Sequence, residues 1–308
     1  MAKFDIKDIT GVIPALITTF DEHENFDEQR MRTVTRHLLN EGVDGFYLTG
    51  STGETFLMTP EERRRVVEVV VDEVQGKVPV IVHVGDIGTK KSIEHAKHAY
   101  EAGADAISSV PPFYWRFSED NIYNYYKDIT ESTPLPMIIY NIPLAGLVGY
   151  DTIKRLATIE GVKGIKYTAT THFEIMKIKQ ELGQDFMIYS GADEMAVSGL
   201  AFGADGIIGS FYNVIPELFQ DIYKLMKQGD VNRAREKQEI ANKIILKAVS
   251  YDYLALMKRM MAWGGVDAGY ARKPFTNYSG ECEESIKAEF STIKKENNIT
   301  DIKFMKEL

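Results

Sequence analysis

The stretch Ala201-Phe-Gly-Ala-Asp-Gly-Ile-Ile-Gly209 reads as a helix end, a turn and a short buried strand. Gly203 stands where a helix stops, because glycine takes the left-handed conformation without a Cβ clash. Asp205 follows, and then a run of small and branched apolar residues. Two other segments carry the same plan, Glu41-Gly-Val-Asp-Gly-Phe46 and Glu101-Ala-Gly-Ala-Asp-Ala-Ile107. One strand–helix unit used repeatedly predicts an α/β protein built as a (β/α)8 TIM barrel. An open doubly wound sheet is the rival. It usually carries a glycine-rich phosphate fingerprint after its first strand, and Ile17-Thr-Thr-Phe-Asp21 has none.

On either side of that unit, β-rich runs alternate with helical patterns. The strands are expected at Gly11–Thr18, Val43–Leu48, Val78–His83, Ala104–Ser109, Pro136–Tyr140, Gly161–Thr168, Phe186–Ser190 and Asp205–Gly209. Helices are expected at about Glu28–Asn40, from Thr59, at about Lys91–Glu101, from Ser118 to about Thr130, and briefly after Asp151. Three more fall at about Phe173–Leu182, Glu194–Phe202 and Pro216–Lys227. The clearest start is Thr59-Pro-Glu-Glu62, with a threonine cap, proline at the first helical position and glutamate three residues beyond the cap. No segment reads as a linker. The expectation is a barrel over residues 1–229 carrying the active site, and a C-terminal helical extension over 230–308 packed on it. In that extension Ile240, Ile244, Ile245 and Ala248 form one apolar stripe, and Leu254, Met257 and Met261 another. Both suit the barrel wall or a neighbouring subunit.

The 308 residues are 44% hydrophobic and 26% charged, with a formal charge of -9. That balance argues against a nucleic-acid footprint. No run approaches the roughly 20 apolar residues of a membrane span, and Met1-Ala-Lys-Phe-Asp-Ile6 lacks the apolar core of a signal peptide. A single cysteine, Cys282, allows no internal disulfide. A soluble cytoplasmic protein is expected. The histidines do not gather: His83 falls in a strand, His95 and His98 on a helix, and His23, His37 and His172 are scattered. No metal and no cofactor is expected.

In barrels of this kind the reactive groups collect at the carboxyl ends of the strands. The sixth run, Gly161-Val-Lys-Gly-Ile-Lys166-Tyr-Thr168, ends on a lysine. A lysine at a strand end is ordinarily a solvated surface residue. A desolvated one sheds its proton, and the neutral amine attacks carbonyls. The fifth run ends in Tyr140-Asn-Ile-Pro143, so Tyr140 and Lys166 stand at neighbouring ends, with strands roughly 4.8 Å apart. Gly50-Ser-Thr-Gly-Glu54 after the second run is either a tight turn or an anion nest of backbone N–H groups and two hydroxyls. Asp193 and Glu194 either serve a helix N-terminus or accept sugar hydroxyls. Tyr114, after two prolines, is a surface aromatic or a subunit contact. A strand-end lysine without a metal set points to Schiff-base chemistry, in which the iminium is an electron sink.

At these residues the chain resembles the dihydrodipicolinate synthase/N-acetylneuraminate lyase superfamily over nearly its whole length. The markers are Gly50–Glu54, Tyr140–Pro143, Gly164-Ile-Lys-Tyr-Thr168 and Gly203-Ala-Asp-Gly-Ile-Ile-Gly-Ser210. Within it the chain is most similar to the N-acetylneuraminate lyases, or sialic acid aldolases. The resemblance implies reversible cleavage of N-acetylneuraminate to pyruvate and N-acetylmannosamine in a homotetramer. Lys166 would form the Schiff base and Tyr140 would move the proton of the C4 hydroxyl. Ser51 and Thr52 would hold the substrate carboxylate. Thr168, Gly191, Asp193, Glu194 and Ser210 would bind the sugar hydroxyls and tail. Tyr114 would support the proton path, in this or another subunit's site. Gly265–Phe275 also looks lyase-like, with no chemical role assigned to it.

The main competitor is a dihydrodipicolinate synthase or another pyruvate-dependent aldolase. In the synthases an arginine shortly after the Tyr-Asn-x-Pro motif binds the carboxylate of the aldehyde. Here that stretch is Leu144-Ala-Gly-Leu-Val-Gly149, without a cation. Asp193 and Glu194 would repel an anionic aldehyde and suit a neutral sugar. Ala169-Thr-Thr-His172 and Ala192 depart from the lyase pattern and bear on how the N-acyl group or glycerol tail fits. A non-catalytic sugar-binding protein on the same barrel is the alternative from a different class.

Overall fold

The structure, a computed structural model, describes residues 3–308. Strands and helices alternate along it: β1 Gly11–Pro14, α1 Glu28–Asn40, β2 Phe46–Leu48, α2 Pro60–Val74, β3 Val80–His83, α3 Thr89–Ala102, β4 Ala106–Ser109 and α4 Glu119–Glu131. Then come β5 Met137–Asn141, α5 Tyr150–Leu156, β6 Val162–Tyr167, α6 Phe173–Leu182, β7 Met187–Ser190, α7 Ala196–Ala201, β8 Gly206–Gly209 and α8 Pro216–Lys227. Three further helices follow, α9 Val231–Ala248, α10 Tyr253–Trp263 and α11 Gly280–Glu296. The sheet runs β1-β8-β7-β6-β5-β4-β3-β2 with parallel pairing throughout, and a bridge between Ala15 and Tyr47 closes β1 onto β2. This is the (β/α)8 barrel with C-terminal helices that the repeated unit implies. No described helix is long and apolar enough to cross a membrane.

The aspartate of the repeated unit has a structural job. Asp44 accepts the Val12 N–H at 2.8 Å, Asp105 the Val80 N–H at 2.9 Å, and Asp205 the Ile188 N–H at 2.7 Å. Each lies just before its own strand and ties the neighbouring one in register. Helix starts follow their caps. The Thr59 hydroxyl accepts the Glu62 N–H while the Glu62 carboxylate accepts the Thr59 N–H, and Ser118 and Asn121 do the same for α4. One helix differs from expectation. Asp193–Met195 forms a separate 3-10 turn ahead of α7. The Asp193 carboxylate is drawn across to the Phe211 N–H at 2.7 Å, which pulls the first residues off the helix axis.

Alternation along the strands separates two apolar layers. Ile13, Tyr47, Ile81, Ile138, Met187 and Ile208 fill the barrel interior. Their neighbours Val12, Phe46, Val82, Ile139, Ile188 and Ile207 pack outward beneath the helices. The extension shares that outer layer through Ile244, Leu256, Met257 and Phe290.

An irregularity in β6 decides where its lysine points. Met137 pairs with Val162, but the next residue, Ile138, pairs with Gly164. Lys163 is the extra residue, exposed in an otherwise buried strand. A one-residue slip moves every later side chain to the other face, so this bulge puts Lys166 inside the barrel.

Candidate active site

β6 delivers Lys166 to the carboxyl end of the ring, where it is 3% exposed. Its Nζ lies 4.2 Å from the centre of the Tyr140 ring and 4.4 Å from that of Tyr47. Burial is therefore the main influence on the amine and brings its pKa from 10.5 to about 7, with the charge of Asp193 opposing. A substantial fraction is the free base near neutrality.

Tyr140 is the direct partner of Lys166 in the β5–β6 ladder, so the two side chains share the interior face. Burial pushes its phenol well above the usual range, with the Ser51 and Thr168 hydroxyls opposing. Tyr47 meets Tyr140 edge-on, with ring centres 5.7 Å apart, and donates its own hydroxyl to Ser108 Oγ at 3.1 Å. The rings leave the lysine an apolar floor.

After β2 the chain enters the left-handed region at Thr49 (φ 51°) and again at Glu54 (φ 57°). Between them Gly53 N–H donates to Gly50 O at 3.1 Å and Glu54 N–H to Ser51 O at 3.0 Å. The N–H groups of Ser51 and Thr52 donate to no protein acceptor among the described residues. The Thr52 and Ser210 hydroxyls stand 2.7 Å apart. Free amides beside hydroxyls make a pocket suited to a carboxylate.

Asp193 faces the lysine from the far side. It is buried, and its carboxyl is pushed up to about 7 chiefly by that burial, against the hydrogen bond from Phe211 N–H. Glu194 beside it is exposed. Two glycines make the room. A Cβ on Gly209 would sit 1.9 Å from Asp193 Oδ1, and one on Gly191 would sit 2.1 Å from Thr168 Oγ1.

Nine of the candidates, Lys166, Tyr140, Ser51, Thr52, Thr168, Gly191, Asp193, Glu194 and Ser210, line one cavity of about 360 Å³. Tyr114 does not. It is 69% exposed and lines a separate cleft with Trp115, Leu147 and Val148. Among the described residues no group of metal-ligating side chains gathers. His83 is buried and held near 3 by that burial, so it is neutral, and its Nδ1 lies 2.9 Å from Thr49 O.

The dihydrodipicolinate synthetase family profile matches residues 8–293. The chain belongs to this family. It is 37% identical to the N-acetylneuraminate lyase of Citrobacter koseri over 286 residues, 92% of this chain and 96% of that one. CdNal from Clostridium difficile, solved in complex with mannosamine, superposes with a TM-score of 0.89 at 32% identity, covering 94% of this chain and 99% of the other. A catalytic lysine mutant of the Ruminococcus gnavus sialic acid aldolase gives 0.90 at 30% identity, covering 97% and 99%.

Several residues that line this cavity or lie beneath its lysine escaped the reading of strand ends. Tyr47 precedes its strand end, and only the inward alternation of β2 marks it. Ile142 and Leu144 follow β5, while Ile245, Val249 and Tyr253 come from α9, from just past its end and from the start of α10. Tyr253 stacks near Phe211, with centres 6.3 Å apart. The stripe containing Ile245 therefore also walls the site.

Proposed function

We propose that the chain is a Schiff-base aldolase that cleaves N-acetylneuraminate reversibly to pyruvate and N-acetylmannosamine. The observation that carries the reading is a buried amine with a pKa brought to about 7, ringed by two tyrosines beside a pocket of free amides. The sugar acid enters with its carboxylate on Ser51 and Thr52. The Lys166 amine attacks C2, and water leaves to give the iminium. The C4 hydroxyl then loses its proton as C3–C4 breaks, and the bonding pair passes to the iminium as an enamine. Burial keeps the Tyr140 phenol protonated, so it acts as a relay, taking the C4 proton as it passes its own to the substrate carboxylate held beside it at Ser51. Protonation at C3 and hydrolysis release pyruvate and restore the amine.

Thr168, Gly191, Asp193, Glu194 and Ser210 take the hydroxyls of the leaving aldehyde. Leu144, on the cavity wall, stands where a synthase would need a cation, and it favours a neutral aldehyde. The same reading makes the protein a cytoplasmic homotetramer in which Tyr114 serves a neighbouring subunit's mouth. Its exposure, with Trp115 68% and Leu147 51% exposed in the same cleft, supports this.

The test is pyruvate release from a panel of sialic acids and other 2-keto acids, with condensation of pyruvate onto N-acetylmannosamine and aspartate semialdehyde in parallel. Cleavage of N-acetylneuraminate is expected. Preference for aspartate semialdehyde would move the chain to the synthase branch, and calorimetric binding without turnover would make it a sugar-binding protein.

A further inference from the structure

The Gly50–Glu54 loop is anchored by a carboxylate that never reaches the cavity. The Glu54 side chain is fully buried. Its Oε1 accepts from Lys258 Nζ at 2.6 Å, and its Oε2 from the Arg272 N–H at 2.8 Å. Lys258, on α10 and 1% exposed, also donates to Tyr270 O at 2.6 Å. The Arg272 guanidinium in turn donates to Glu62 on α2, to Leu57 O and to Glu24 O. One carboxylate thus joins the loop after β2 to residues 204 and 218 positions later. The segment Gly265–Phe275 supplies two of these partners.

A buried ion pair is weak as a device for stability alone, because packed apolar groups of similar size often serve as well or better. What such a pair supplies is position. Glu54 sits in the left-handed region, which a residue with a Cβ avoids unless its surroundings hold it there. Its N–H is bonded to Ser51 O, so any movement of Glu54 moves the amides of Ser51 and Thr52. The other end of the loop is pinned separately, through Thr49 Oγ1 donating to His83 O at 2.8 Å.

We propose that the Glu54–Lys258 pair positions the substrate-carboxylate pocket, by holding Glu54 left-handed and so turning the Ser51 and Thr52 N–H groups toward the cavity. Neither residue touches substrate; both act through the loop. The inference rests on the Schiff-base reading above.

The test is borohydride trapping of the full chain with two ketones, pyruvate and the neutral ketone acetone. Both report the Lys166 amine, and only pyruvate uses the pocket. In Glu54→Gln and Lys258→Met the half-saturating pyruvate concentration is expected to rise at least about ten-fold, while trapping by acetone stays within about two-fold. A folded variant with unchanged half-saturation by pyruvate, or with equal loss for both ketones, would overturn the proposal whatever its melting temperature. If the single variants do not fold, the double variant Glu54→Gln/Lys258→Met leaves no buried charge unpaired and gives the same readout. Wild-type half-saturation there would overturn the proposal as well. Failure of the unmodified chain to be trapped by pyruvate would be a distinct result, removing the Schiff-base reading itself.

Discussion

Lys166 and Lys258 are the two most deeply buried lysines, at 3% and 1% exposure, and the chain treats them in opposite ways. Burial lowers both amines, to about 7 and about 8. Lys258 is met at 2.6 Å by a carboxylate and at 2.6 Å by a carbonyl, and its ammonium is matched by an anion. Lys166 is met by two aromatic faces and by the more distant charge of Asp193. Burial alone therefore does not make a nucleophile. The absence of a close anionic partner is what fits Lys166 to the proposed role, and a barrel mouth can supply that because tyrosines, rather than carboxylates, occupy the strand positions around it.

The largest expected effect comes from giving both lysines the same substitution. Lys166→Met removes the proposed nucleophile, so turnover should fall by at least about 10⁴-fold and the borohydride adduct should vanish. Its melting temperature should hold or rise, since no anion loses a hydrogen-bonded partner and Asp193 is only a distant one. Lys258→Met should do the reverse. It retains the Lys166 adduct at high pyruvate but leaves Glu54 buried and uncompensated, a loss of about 3–5 kcal/mol in denaturant unfolding. Equal stability losses in the two variants would erase the contrast.

Next in size is Tyr140→Phe, which keeps the ring under the amine and removes only the hydroxyl. Turnover should fall by about 10²–10⁴, while trapping of pyruvate on Lys166 stays near its original rate. Parallel loss of both would mean that Tyr140 supports the amine rather than the proton transfer. Single-turnover measurements with N-acetylneuraminate separate these outcomes.

How much of this contrast can be read from the chain depends on the range of the interactions. The barrel is legible because its unit is local: a glycine to stop a helix, an aspartate to staple the preceding strand, and a short apolar run. Lys166 and Tyr140 are legible because they end adjacent runs. The bulge at Lys163 is not, since an extra residue in β6 shows only against its neighbour β5. Nor is the Glu54–Lys258 pair, whose members lie 204 residues apart. A faint signal existed, because Lys258 falls between Leu254 and Met261 on an apolar stripe and so had to be buried. The proposed place of Tyr114 at a neighbouring subunit's mouth depends on a second chain, and no local pattern in the sequence carries that.

The smallest expected effect is on pH dependence, and it tests the electrostatics directly. A lysine whose folded pKa lies below its ordinary value is free base above that lowered value. Trapping by pyruvate should therefore rise with pH and level off above about 7, falling roughly ten-fold per unit on the acid side. His83 is held near 3 and stays neutral throughout, and the Tyr140 phenol is pushed above the range, so neither should shape this limb. Asp193, whose carboxyl is pushed up to about 7, should. The two titrate as a coupled pair, and the limb belongs to both. The Asp193 charge raises the lysine's pKa, so Asp193→Asn removes that support and should move the limb to lower pH. A limb that moves to higher pH would mean that the carboxylate does not act on Lys166 as a charge. A limb that stays in place would mean that burial sets the amine alone, and the far wall of the cavity would then serve only the sugar.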